Sequence, residues 1–457
     1  MEQNAKFDLT QGNILSRLLT VALPIMGTQF VQMAYNMTDM FWVGRLSSNA
    51  VAATGMGGMF LWLSASLMMI GRMGSEIGVS QNLGRKDFDS ARSYAQNAFL
   101  MALVLGIAYG GLLLFFSPKL VSIFAIQEAE VAADAATYLA ICGIGIPFTY
   151  LTAVITGAFN GAGNSRLSFV ANITGLVVNV ILDPLLIFGL HLGVAGAAWA
   201  TIFAQMSVTL VFLWAIKKAK SRPFEAYTYF VKPNIEKVKT IIRWTTPIAL
   251  ESMLFCSLAM ISTRIVTSFG TNALTVQNVG SQIESLSWLI AGGFGSAVTA
   301  FVGQNFGAGK WTRIRQGFRM SMLAMTVWGL IVMGTLAVFG HSLYAFFITD
   351  SPEVLEMGSR YLRVLCLCQV ASCWESVVAG TFRGIGRTNP PSIVSISVNI
   401  FRVILAFTLS RTSMGLTGVW WAITIASILR GSIVTIWYLW ESRSHPHEDV
   451  AHPAPAA

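Results

Sequence analysis

Two carboxylates stand where charge is costly. Asp39 closes Tyr35-Asn36-Met37-Thr38-Asp39 inside the first long apolar run, and Asp183 lies in Asn179-Val180-Ile181-Leu182-Asp183-Pro184 in the fifth. Ionisable side chains within such runs are by default candidates for ion or substrate pathways. Tyr35 precedes Asp39 by one helical turn and Asn179 precedes Asp183 by one turn, so each acid shares a helix face with a polar partner. Pro184 removes a backbone donor and loosens its helix, which frees carbonyls to face a cation. Two desolvated carboxylates and an amide can share a proton, since burial and mutual repulsion both disfavour two full charges. The same oxygens are also ligands for Na⁺, so Asp39 and Asp183 form a candidate site for either ion. Discharging the pair favours a different helix packing, which is what ion coupling needs.

The second half of the chain carries acids of its own, Glu251, Glu284 and Glu375, and a cation, Arg402, within apolar runs. A carboxylate facing a cavity draws organic cations, and one of the three glutamates could instead pair with Arg402. Arg72 and Glu76, one turn apart, are placed to pair with each other. Met33, Met37 and Phe60 offer soft apolar surface for varied compounds, with Tyr35 beside them. The five cysteines all fall in apolar runs without metal-ligand spacing and read as packing residues. None of the five histidines sits at catalytic spacing, so a membrane-embedded enzyme is disfavoured; no catalytic residue and no cofactor is expected.

These residues must be held by helices that cross a bilayer. Of 457 residues 54% are hydrophobic and 11% charged, whereas soluble domains carry roughly 25% charge. Twelve runs are long enough to span: near 14–44, 50–80, 91–116, 131–158, 163–189, 193–216, 240–268, 273–303, 316–339, 353–380, 390–410 and 417–440. Of 30 Lys and Arg residues, 21 lie in or beside the termini and the loops after even-numbered spans. That bias predicts both termini in the cytoplasm. The net charge of +9 therefore orients the chain and implies no nucleic-acid partner. The polar opening, Met1 to Asn13, and the long first run do not fit a cleavable signal peptide.

The runs fall into two copies. Gln81-Asn82-Leu83-Gly84 matches Gln304-Asn305-Phe306-Gly307, Gly157-Ala158-Phe159-Asn160-Gly161-Ala162-Gly163 matches Gly380-Thr381-Phe382-Arg383-Gly384-Ile385-Gly386, and Pro24 matches Pro247, each 223 residues apart. Six spans per copy is an even number, so the repeat is parallel, as in transporters whose halves rock about a central cavity. The expected organisation is a first lobe over 1–216, a cytoplasmic linker over 217–239, a second lobe over 240–440 and a disordered tail over 441–457. The repeat register takes Asp39 to Ser262, Asn179 to Arg402 and Asp183 to Ala406. Coupling chemistry is thereby expected in the first lobe alone.

The duplicated Gln-Asn-x-Gly and Gly-x-Phe-x-Gly-x-Gly turns, the proline-led first and seventh spans and Tyr35-Asn36-Met37-Thr38-Asp39 resemble the multidrug and toxic compound extrusion (MATE) family, over about residues 12–440. The resemblance implies an all-α, twelve-helix membrane protein of two bundles. It also implies export of cationic or amphipathic compounds against H⁺ or Na⁺. Asn179-x-x-x-Asp183-Pro184 is similar to the proton-coupled prokaryotic branch, and Thr201 looks like a further member of the cation-coupling set. The expected setting is a monomer in a bacterial cytoplasmic membrane. A flippase for a lipid-linked oligosaccharide shares the duplicated plan, and a cationic cavity for pyrophosphate would distinguish it.

Overall fold

The computed structural model describes residues 7–123, 128–218, 229–347 and 351–444. Twelve helices among them are long and apolar enough to cross a bilayer. In chain order they are α1 (Ile14–Leu46), α2 (Ser48–Gly84), α3 (Phe88–Ser122), α4 (Ala129–Gly161), α5 (Ser165–Pro184), α6 (Gly193–Lys218), α7 (Ile235–Thr267), α8 (Thr271–Gly307), α9 (Trp311–Phe347), α10 (Pro352–Leu365 and Gln369–Gly384), α11 (Asn389–Ser410) and α12 (Gly415–Ser444). Side-chain caps start several of them: Asn13 accepts from the Ser16 amide, Asp87 from Ser90 and Asn234 from Lys237. Two helices depart from regular geometry. α5 passes after Pro184 into a π-helical turn, Leu185–Gly189, and α10 is interrupted by a 3-10 turn, Cys366–Cys368. The helices outrun the apolar stretches of the sequence. α7 begins at Ile235, inside the segment read as linker, and α12 continues to Ser444; positions 219–228 and 445–457 lie outside the described residues.

Helices α1–α6 pack chiefly on one another, as do α7–α12, and the two groups meet where α1 and α2 lie against α7 and α8. Phe99, Tyr150, Phe159 and Phe212 sit in the core of the first group; Phe294, Phe301, Phe318 and Phe382 sit in that of the second.

The repeated turns meet at one place. α2 and α8 end side by side, and a Cβ on Gly84 would strike the Gln304 carbonyl, just as one on Gly307 would strike that of Gln81. Gln81 Nε2 donates to the Gly384 carbonyl (2.8 Å), and Gln304 Nε2 donates to the Gly161 carbonyl (3.1 Å). Each glutamine thus reaches into the glycine-rich turn of the opposite half, and the contacts are equivalent under the 223-residue register. The N-terminal segment straps this junction. The Leu9 amide donates to Gln304 Oε1 (2.9 Å), Asn305 Nδ2 donates to the Leu9 carbonyl (3.2 Å) and Lys310 Nζ donates to that of Thr10 (2.9 Å). The face carrying these turns is called the junction face below.

Candidate functional site

The predicted acid cluster assembles in the first half. Asn179 Nδ2 donates to Asp39 Oδ1 (3.2 Å) and to Asp183 Oδ1 (3.1 Å), and Thr201 Oγ1 donates to Asp39 Oδ2 (3.3 Å). Asn179 thereby bridges the two carboxylates through one amide. Two carboxylates held on one buried amide repel each other, so the arrangement suits a singly charged pair. Tyr35 OH donates to the Thr201 carbonyl at 3.4 Å. Three helices, α1, α5 and α6, thereby converge on four polar side chains.

Local geometry explains the convergence. Asn179 and Asp183 are fully buried and one turn apart on α5. Gly196 near the start of α6 packs against the backbone of Leu186 in the π-turn, where a side chain would clash. That close approach draws α6, and with it Thr201, onto the end of α5. Asp183 Oδ2 and Asn179 Oδ1 are buried without a hydrogen-bond partner. An unmet acceptor pair beside two carboxylates is a suitable set of oxygens for a proton or small cation.

A cavity of about 440 Å³ opens in front of the cluster, walled by α1, α2, α4, α5 and α6. Tyr35, Asp39 and Thr201 line it, whereas Asn179 and Asp183 stand behind the wall. Its polar lining also includes Gln29, Gln32, Asn36, Arg72 and Gln205; of these the sequence singles out Arg72 alone, and as a partner for Glu76. The signal was present: Gln29, Gln32, Asn36 and Asp39 recur at helical spacing and make one polar stripe along an apolar span. Met33 and Met37 fall off that stripe and are absent from the cavity wall; Met37 is 61% exposed. Phe60 packs against the first-half core instead.

In the second half the predicted residues separate. Glu375 pairs with Arg430 on α12 (2.7 Å). Glu251 accepts from the Ser392 hydroxyl (2.8 Å). Glu284 is buried and accepts from Tyr361 OH at 3.4 Å. Among the described residues Arg402 pairs with none of the three glutamates; its guanidinium lies over the Phe255 ring, 5.4 Å from the centroid. The pairing expected for Arg402 is thus taken by Arg430, one helix further along the chain. Glu76 also differs from expectation, accepting from Ser296 Oγ on α8 (2.6 Å) across the contact between halves. Arg402, Glu375, Arg383 and Arg430 line a second cavity of about 270 Å³, which neither Glu251 nor Glu284 reaches.

Comparisons with known proteins find the same duplicated fold. The MatE family model matches twice, at residues 24–185 and 247–408, an offset equal to that of the repeated turns. The chain is 28% identical over 446 residues to the probable multidrug resistance protein NorM of Thermotoga maritima, covering 94% of each chain. It is 24% identical to the multidrug export protein MepA of Staphylococcus haemolyticus, covering 93% of each. Among solved structures, a MATE protein in complex with MaD3S superposes with a TM-score of 0.90, covering 96% of this chain and 98% of that one at 21% identity. An outward-facing multidrug resistance MATE transporter gives 0.88 with the same coverage and identity. With twelve spanning helices, a duplicated plan and a family model that matches both copies, the chain belongs to the MatE family.

Proposed function

We propose that this multi-pass membrane protein exports cationic or amphipathic organic compounds in exchange for H⁺, by alternating access, with both termini in the cytoplasm. The observation that carries the reading is the convergence of Asp39, Asn179, Asp183 and Thr201 at the wall of the first-half cavity, with Asn179 bridging the two carboxylates. The relatives' names, multidrug resistance and multidrug export, support the substrate class. In the expected cycle the lobes over 1–216 and 240–440 rock about the α1–α2 and α7–α8 contact. A proton entering the pair removes a charge from a buried site and favours the helix packing in which the compound is released. A compound entering the cavity displaces the proton in turn.

Na⁺ would use the same oxygens, so the test has two arms. The purified chain is reconstituted in liposomes and efflux of ethidium is followed under an imposed pH gradient or an imposed Na⁺ gradient. Efflux driven by the pH gradient and lost in Asp39→Asn is the expected result. Efflux that answers only to Na⁺ would overturn the proton assignment, and no efflux under either gradient would overturn the exporter reading.

A further inference from the structure

We infer that the second-half cavity binds an organic anion, with Arg402 as its counter-charge and the rings of Phe255 and Trp288 as apolar walls. The inference deepens the export reading by assigning a second substrate contact, of opposite sign to the first.

Charge pairing around the cavity leaves one cation over. Four charged side chains form its wall: Glu375, Arg383, Arg402 and Arg430. Glu375 and Arg430 neutralise each other at 2.7 Å. Arg383 faces Glu76, which Arg72 approaches from α2. Glu251 stands near Glu375 and is held by Ser392. Among the described residues Arg72, Arg383 and Arg430 each act on Glu76 or Glu375, and Arg402 acts on neither. Its Nε, like those of Arg72, Arg383 and Arg430, is buried without a hydrogen-bond partner, and the charge that acts on it is the like charge of Arg430.

A guanidinium kept inside a span beside another cation is costly unless an anion visits it. Its planar fork matches the two oxygens of a carboxylate or the oxygens of a phosphate. Phe255 and Trp288 supply flat apolar surface next to that fork. The place is also meaningful in the repeat: Arg402 occupies on α11 the position that Asn179 holds on α5, at the centre of the acid cluster. Where the first half sets an acid cluster around this register position, the second sets a cation. At about 270 Å³ the cavity is smaller than the roughly 300–1,000 Å³ of a drug-sized site. It therefore takes a small aromatic acid, or the acidic end of a longer compound.

The shared chemistry, an oxyanion on an apolar body, has two sources: an exported organic acid or the phosphate of a lipid headgroup. The test uses the purified full-length chain in nanodiscs of phosphatidylcholine and titrates 1-naphthoate, read by its fluorescence. Saturable binding is expected, weakened about tenfold or more in Arg402→Gln and less in Arg402→Lys, which keeps the charge but loses the fork. Partial retention in the lysine variant separates loss of the site from loss of the fold. If phosphatidylglycerol in the discs competes with naphthoate, the site is real and its occupant is the lipid phosphate; if it does not, the occupant is a soluble organic anion. Ethidium export by the wild type, run in parallel, tests the export reading separately, because naphthoate binding needs no gradient. Absence of saturable naphthoate binding, or equal binding by wild type and Arg402→Gln, would overturn the inference.

Discussion

The two halves of this molecule agree where they touch each other and differ where they line their cavities. At the junction face Gln81 and Gln304 make the same reach into the opposite glycine turn, and Gly84 and Gly307 each lie against the other half's carbonyl. At and behind the first cavity's wall, Asp39, Asn179 and Asp183 correspond to Ser262, Arg402 and Ala406. The contact is between the two copies themselves, so a change in one must be met by the other, and the motif stays readable in both. A cavity wall faces no such partner in the other half, and its residues are free to take on separate tasks. The difference also operates next to the junction. Asp87 caps α3, while Lys310 at the matching position reaches the Thr10 carbonyl. Lys86 holds a left-handed backbone angle (φ 62°) where the second half has Gly309 (φ 69°).

The comparison can be broken most severely at the acids. Asp39→Asn should reduce pH-driven ethidium efflux in liposomes to the rate seen without a gradient, while Ser262→Ala, its counterpart, should stay near wild type. Comparable losses in both would mean that ion coupling is spread over the two halves. The next largest effect is expected at the junction glycines. Gly84→Ala and Gly307→Ala should each cost about 1–3 kcal/mol, because the opposing atom is backbone and cannot swing away. The two act on one contact, so the double variant should unfold at a temperature well above that expected from adding the single losses. Strict additivity would show that the two close approaches are independent.

A smaller effect sharpens the junction further. Gln304 serves both Gly161 and the Leu9 amide, whereas one hydrogen bond to Gly384 is seen for Gln81. At about 0.5–1.5 kcal/mol for each bond, Gln304→Leu should lower thermal stability by roughly twice as much as Gln81→Leu. Equal losses would mean that the strap over the second half adds nothing. The smallest effect expected is at the cap. Burial alone would raise the Asp87 carboxyl, but hydrogen bonds from Ser90 and the cations Lys237 and Arg85 hold it below the ordinary carboxylate range. Its stabilisation is therefore complete above that range and is lost as pH falls through the lowered value. Asp87→Ala should cost about 0.5–2 kcal/mol at neutral pH. The gap between wild type and variant should close in acid; a gap that persists would assign the loss to packing.

Much of the frame was legible in the letters. Apolar runs announce helices that cross a bilayer, and a register of 223 residues is visible in Gln-Asn-x-Gly and the glycine turns. The proximity of Asn179 and Asp183 also follows from one helical turn. Their meeting with Asp39 and Thr201 does not, since it joins three helices far apart in the chain; Asp39 is grouped with them as a second intramembrane acid, and Thr201 only through resemblance to a family. Rotation about a helix axis is what the sequence conceals. A stripe at Gln29, Gln32, Asn36 and Asp39 would have placed Met33 and Met37 off the cavity wall, yet the methionines were read as lining it. The choice of Arg430 over Arg402 as partner to Glu375 depends on how α10, α11 and α12 lean together, which no local pattern records. The extent of α7 into the linker reflects a cap at Asn234 that lies outside the apolar run.

The strap formed by Leu9 and Thr10 sets an order of events during synthesis. Leu9 emerges early, but the Gln304 side chain that its amide meets comes 295 residues later. At the roughly 5–20 residues per second of translation, the N-terminal segment waits for roughly 15–60 s. In the last part of that interval the first six helices have been made and the surface of Gln81 and Gly84 is still uncovered. The junction face can close only once the eighth helix has been inserted, so a truncated nascent chain is an open half-molecule awaiting its twin.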